Sequence, residues 1–215
     1  MKRKSFYIGF GLLVLFIIWT VALKFVDVQA IGPQGSIVGF ATINRFIHNL
    51  TGVHMSLYAI TDWLGLVPFC FITGFGILGL CQWIKRKSFL EVDYSILALC
   101  VFYIIVMVLY IFFEIFVINY RPILINGILE ASYPSSTTML VLCVIPSAVL
   151  VLDKRIKNSG IRVCADIILY GFLVFMVIGR ILSGVHWITD IVGGALFSTG
   201  IVLLYEAVST HTEEE

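Results

Sequence analysis

Long apolar runs separated by short polar clusters dominate the chain. Six runs are long enough to cross a bilayer, which takes about 20 residues each. They lie near 5–26, 61–83, 94–118, 137–152, 163–182 and 187–206, and the fourth is short enough that it must borrow flanking residues. Hydrocarbon cannot satisfy a bare backbone, so the runs must be helices. The pattern predicts an all-α, six-transmembrane helix bundle forming a single integral membrane domain over residues 1–215. Segment 36–60 is too polar to span. Its apolar Ile37, Phe40, Ile43, Phe46, Ile47 and Leu50 recur at helical spacing, which predicts an amphipathic helix lying on the outer membrane surface. Such a helix either guides a lipid toward a site or covers the mouth of the bundle.

Composition agrees with a membrane chain. It is 60% hydrophobic and only 13% charged, with a mean hydropathy of +1.04, whereas soluble domains are about a quarter charged. A net charge of +1 gives no reason to expect a nucleic-acid partner. The distribution of Lys and Arg says more than their sum. Lys2, Arg3, Lys4, Lys85, Arg86, Lys87, Lys154, Arg155, Lys157 and Arg162, ten of the 14 basic residues, fall on one side of the six-span arrangement. Positive charge marks the cytoplasmic side, so both termini are expected there, with 27–60, 119–136 and 183–187 facing outward. The basic start resembles a signal peptide, but its apolar run is about 20 residues and no small-residue cleavage site follows cleanly, so it reads as a retained span. The terminal THTEEE, residues 210–215, reads as a short solvated tail. Cys70, Cys81, Cys100, Cys143 and Cys164 sit in apolar runs without CxxC spacing, as packing residues do. Lack of expected disulfides and of long loops suits a bacterial cytoplasmic (inner) membrane.

Against this background three outward patches are chemically unusual. EIFVINYRP holds Glu114, Arg121 and Pro122; ASYPSSTT holds Pro134, Ser135, Ser136 and Thr137; GRILSGVHWITD holds Arg180, His186 and Asp190. Ionisable groups in spans are costly and mark functional sites. Two arginines offer forked, permanent donors for phosphate oxygens. A Ser-rich helix start, Ser135, Ser136 and Thr137, presents free backbone N–H groups to an anion. His186 supplies a nucleophilic nitrogen, and Asp190, one turn later, is placed to orient it. Phosphate-group transfer is the chemistry these residues suit.

The patches resemble the three motifs of the type-2 phosphatidic acid phosphatase (PAP2) superfamily of membrane lipid phosphatases, K-x6-R-P, P-S-G-H and S-R-x5-H-x3-D. Arg180, His186 and Asp190 match the third in spacing, with Gly179 in place of Ser. Pro134 and Ser135 match the second, with Ser136 for Gly and Thr137 for His, and Arg121 and Pro122 match the first, with Glu114 for Lys. The resemblance implies a six-span fold and a membrane lipid phosphate substrate. It implies attack by His186 through a phosphohistidine, with no metal and no cofactor. Substrates of the family include phosphatidate, phosphatidylglycerol phosphate and polyprenyl diphosphates.

Two departures shape the expectation. A threonine hydroxyl is too weak an acid to protonate an alkoxide leaving group, so Thr137 favours a diphosphate, whose leaving group departs as an anion. Glu114 is expected first to pair with Arg121 or Arg180, the alternatives being protonation through burial or contact with a cationic group on a different substrate. His54 is the residue best placed to stand in for the general acid that the resemblance assigns to the motif-two His. Two readings remain open: a lipid phosphatase hydrolysing an isoprenoid or glycerolipid (di)phosphate, or a weak or inactive relative that binds anionic lipid headgroups. A transporter reading finds no broken-helix pair or inverted repeat to support it.

Overall fold

A computed structural model describes residues 2–209, so the 210–215 tail lies outside the described residues. Among the described residues eight α-helices follow one another: α1 (Lys2–Ala22), α2 (Ala41–Thr51), α3 (Met55–Leu64), α4 (Val67–Arg86), α5 (Tyr94–Ile115), α6 (Ser136–Arg155), α7 (Ser159–Ser183) and α8 (Ile188–Ser209). Six spans are long and apolar enough to cross a membrane, because α3 and α4 together make one crossing, Met55–Arg86. The protein is an all-α, six-span integral membrane protein. Helix α6 is its axis: 61% of its span is buried, against 6% for α7.

The boundaries depart furthest from the sequence expectation in two places. Segment 36–60 is not one amphipathic helix. Residues 36–40 form a loop in which Val38 bridges Gln29, and α2 stops at Gly52, whose φ of 68° no ordinary helix residue adopts readily. Residues 55–60 belong to the second crossing, which begins at Met55 rather than at 61. Helix α2 still shows an apolar exposed face, Ile43, Phe46 and Leu50. The short fourth run becomes a full helix by taking in Asp153, Lys154 and Arg155, all at its basic end.

Small residues let the helices approach closely, as packing without a hydrophobic driving force requires. A Cβ on Gly9 of α1 would lie 2.8 Å from the Gly200 carbonyl oxygen of α8. The far end of α1 braces the future site: Trp19 Nε1 donates to the Thr189 carbonyl at 3.2 Å, and Thr20 Oγ1 lies 2.7 Å from the Tyr133 hydroxyl. At the opposite end of the bundle Asp93, just before α5, receives Arg86 at 2.9 Å and Arg155 at 2.8 Å. The hydrogen bond from Arg155, foremost, holds its carboxyl at about 2.

The turn that follows α7 is also tight. Gly184 has φ 67°, and a Cβ there would sit 1.9 Å from the Gly52 carbonyl oxygen. Gly184→Ala is therefore expected to destabilise the fold by at least about 2 kcal/mol, from the left-handed backbone and the clash together. A lowered thermal midpoint in detergent checks this; an unchanged midpoint contradicts it.

Candidate active site

The three polar patches meet at one end of the bundle because the 116–135 loop doubles back. Asn126 and Gly127 have φ of 51° and 80°, the signature of a type I′ hairpin turn, and Ile125 and Ile128 pair across it. The ladder continues as Arg121 N donates to Glu130 O at 3.1 Å and Ser132 N to Asn119 O at 2.9 Å. Residues 119–121 thus lie against 130–132, and both arms of the turn reach α8 or its N-terminal edge through Asn119, Tyr120 and Ser132.

At the start of α8 the Asp190 side chain is fully buried. It sits at the third helical position, and its Oδ2 accepts from Trp187 N–H at 2.9 Å, the acidic half of a capping box. The same oxygen accepts a short hydrogen bond from Ser132 Oγ, and Oδ1 accepts from Asn119 Nδ2 at 3.5 Å. Asn44 of α2 reinforces this helix start, its Oδ1 accepting from Thr189 N–H at 3.3 Å.

His186 does not bond Asp190 directly. Its Nδ1 is 4.0 Å from Asp190 Oδ2 and 3.0 Å from Ser132 Oγ. Ser132 bridges the two. A hydroxyl has one proton to give. The Asp190 carboxylate takes it, so Ser132 Oγ accepts from the imidazole, and Nδ1 carries the ring hydrogen. This network assigns the tautomer and leaves a lone pair on Nε2. Nε2 is buried and has no hydrogen-bond partner. His186 lies between α7 and α8, only 5% exposed. Burial, and then the nearby charges of Arg121 and Arg180, hold its imidazole well below the usual range, so the ring stays neutral.

Ser132→Ala removes the bridge and strands two buried polar groups. A lost hydrogen bond to a charged group is worth about 1.5–3 kcal/mol, which converts to roughly 10–10²-fold in rate. The expected result is a fall of that size in kcat, partly restored by Ser132→Thr, which keeps the hydroxyl. Equal rates for the alanine variant and the parent would contradict it.

Both arginines converge here. Arg121 and Arg180 lie over the Tyr58 ring, 5.7 and 5.1 Å from its centroid. Arg180 is 1% exposed. Its Nη2 donates to Thr137 Oγ1 at 2.6 Å and to Asp62 Oδ1 at 3.4 Å, and its Nη1 donates to Thr61 Oγ1 at 3.3 Å. Arg121 Nε lies 3.1 Å from Glu130 Oε2. Arg121 Nη1 and Arg180 Nε are buried and unpartnered. Thr137 thus holds an arginine with its hydroxyl oxygen.

The first turn of α6 adds backbone donors. Ser135 precedes the helix, with its N–H donated to the Asp190 carbonyl at 3.1 Å, and Ser136 and Thr137 open the helix, where N–H groups have no intrahelical acceptor. Gly179, where the motif has Ser, lets α3 close on α7: a Cβ there would lie 2.7 Å from Thr61 Cγ2. The Thr61 hydroxyl on that same side chain then serves Arg180.

Two expected participants stand apart. Glu114 is exposed on α5, and the pairing expected of it goes to Glu130 and Asp62 instead, because the hairpin and α3 bring those carboxylates to the arginines. His54 is exposed, and its ring Nε2 lies 2.9 Å from its own turn's Thr51 carbonyl. The residues that sequence reasoning missed are Ser132, Glu130, Tyr58, Thr61 and Asp62, while Asn119 stood in the first polar patch without a role. The Asn126–Gly127 pair was the signal for Ser132 and Glu130, since it specifies the fold-back that delivers them.

Comparison with known proteins bears on the family and the fold. The sequence profile of the PAP2 superfamily matches residues 81–212. No curated protein matches the chain by sequence. Among solved structures, a transmembrane PAP2-type phosphatidylglycerolphosphate phosphatase from Bacillus subtilis is similar, with a TM-score of 0.64 and 19% identity, over 96% of this chain and 98% of that one. That likeness is one of fold. With the family profile matched over more than half of the chain, a range that includes all three motif patches, the chain belongs to the PAP2 superfamily.

Proposed function

We propose that the protein is a membrane lipid phosphatase that hydrolyses a lipid diphosphate through a phosphohistidine on His186, at the outer face of the membrane. One observation carries this reading: a buried, neutral His186 whose Nε2 lone pair has no partner and which feels the charge of both arginines. Nε2 attacks the terminal phosphorus while the bond to the bridging oxygen breaks and its electron pair leaves with the lipid monophosphate. The ring gains positive charge, which the Ser132–Asp190 relay stabilises from Nδ1. Arg121, Arg180 and the α6 N–H groups hold the phosphoryl oxygens. Water then attacks phosphorus, the P–N bond breaks, and phosphate is released. The outward orientation rests on the ten basic residues at the opposite ends of the spans.

The preference for a diphosphate rests on Thr137, which supports Arg180 and offers no usable acid. An alkoxide leaving group would miss general acid catalysis, typically ~10²–10⁴ in rate; a phosphate leaving group would not. Phosphate release by the purified protein in detergent, from a polyprenyl diphosphate and from phosphatidate side by side, tests this. The expected result is release from the diphosphate faster by about 10²-fold or more. Equal rates refute the substrate preference. Binding of both lipids with release from neither favours the second reading, a headgroup-binding relative, for which the prior pairing of each arginine with a carboxylate speaks.

A further inference from the structure

The second half of the proposed reaction needs a group to take a proton from water, and the residues already assigned cannot supply it. Asp190 is buried, with both oxygens engaged by Ser132, Trp187 and Asn119. Ser132 is committed to His186 and Asp190. Thr137 is not basic. Glu130 is drawn onto Arg121 Nε from the hairpin.

Asp62 differs from these. It projects from α3 beside the site, and its side chain is 55% exposed, so water reaches it. Only Oδ1 touches Arg180, at 3.4 Å, the long end of hydrogen-bond range. That contact is on the same Nη2 that donates to Thr137 Oγ1 at 2.6 Å, so Asp62 Oδ1 and Thr137 Oγ1 can be no farther apart than those two distances together. A carboxylate therefore stands at the edge of the phosphate cradle, on the arginine that would hold the phosphoryl group. As a class, carboxylates accept protons at neutral pH rather than donate them, which suits a base and not a leaving-group acid.

We propose that Asp62 is the general base for the hydrolysis of the phosphohistidine, a reading that rests on His186 being the nucleophile. The water oxygen bonds to phosphorus as the P–N bond breaks. The bond's electron pair returns to Nε2, one water proton passes to the Asp62 carboxylate, and phosphate leaves. Asp62 then gives the proton to bulk water. The work is divided accordingly: the first step needs no acid because the leaving group is an anion, and the second uses a base supplied by α3.

Quenched-flow measurement on the full-length protein in detergent tests this, with farnesyl diphosphate carrying a labelled terminal phosphate and an alkaline quench that preserves phosphohistidine. In Asp62→Asn, steady-state turnover is expected to fall about 10²-fold, the first-turnover release of farnesyl phosphate to stay as fast as in the parent, and the labelled fraction of enzyme to rise. Asp62→Glu is expected to recover part of the turnover and to lower the labelled fraction again. The intact first turnover reports that the variant is folded with its site assembled. If Asp62→Asn slows the first turnover as much as the steady state, Asp62 merely holds Arg180 and the proposal is overturned. It is equally overturned if turnover falls without a rise in labelled enzyme. A parent protein that turns over, never becomes labelled and is indifferent to His186→Ala removes the phosphohistidine reading itself, a different result from the other two.

Discussion

His186→Ala is expected to bring phosphate release down to the level of a protein-free blank. Removing the nucleophile of a unit whose members act together costs on the order of 10⁶ in kcat, and here nothing adjacent replaces it. Ser132 is tied to Asp190, and Thr137 is tied to Arg180. Lipid binding is expected to survive, because the arginines and the α6 N–H groups remain. Activity in the unsubstituted protein is expected to persist below pH 6.5, since burial and two nearby cations hold the imidazole well below its usual range. Linkage has the same direction. An imidazole depressed in the folded state adds stability that is complete above its unfolded value of ~6.5 and is lost as pH falls toward the folded one. The measurement is kcat against pH for the parent, with His186→Ala as background; residual activity in the variant above the blank would remove His186 as nucleophile.

Arg180→Ala is expected to have the second-largest effect. The guanidinium is almost wholly enclosed and ties α7 to α6 and α3 through Thr137, Thr61 and Asp62. Its loss removes a charge-assisted contact to phosphate, about 1.5–3 kcal/mol, and leaves buried hydroxyls without their donor, a further 1–3 kcal/mol or so. Together these predict a fall in kcat/KM of about 10²–10⁴-fold. Arg180→Lys keeps the charge but not the fork, and is expected to recover only part of it. Steady-state kinetics in detergent decides the matter. A variant with unchanged kcat/KM would place the phosphate elsewhere.

The six spans were readable because each apolar run is long, and length is what a bilayer demands. The site residues His186, Asp190, Arg121 and Arg180 stood out for the complementary reason: charge amid Ile, Leu and Val. What the linear chain concealed was contact at a distance. The spacing of His186 and Asp190 suggests a direct bond, yet the rings and oxygens end 4.0 Å apart because Asp190 turns to cap its own helix and Ser132 fills the gap. Glu114 shares a helical face with the Arg121 side in sequence, but α5 ends at Ile115. The chain then leaves the helix, so the expected two-turn register is lost and Glu130 takes the place beside Arg121. The second crossing begins at Met55 rather than at 61, and within it Thr61 and Asp62 face Arg180, a contact that local composition does not reveal.

The close crossing of Gly9 and Gly200 joins helices from nearly opposite ends of the chain. During synthesis α1 is therefore an early span waiting for a late one. Until α8 is inserted, α1 lacks its main neighbour, and the hairpin lacks the carboxylate that Ser132 and Asn119 address. A nascent chain stopped after α7 would hold Arg121 and Arg180 but neither His186 nor Asp190. With α8 in place, the α1 packing and the Ser132, Asn119 and His186 contacts of the candidate site are completed together.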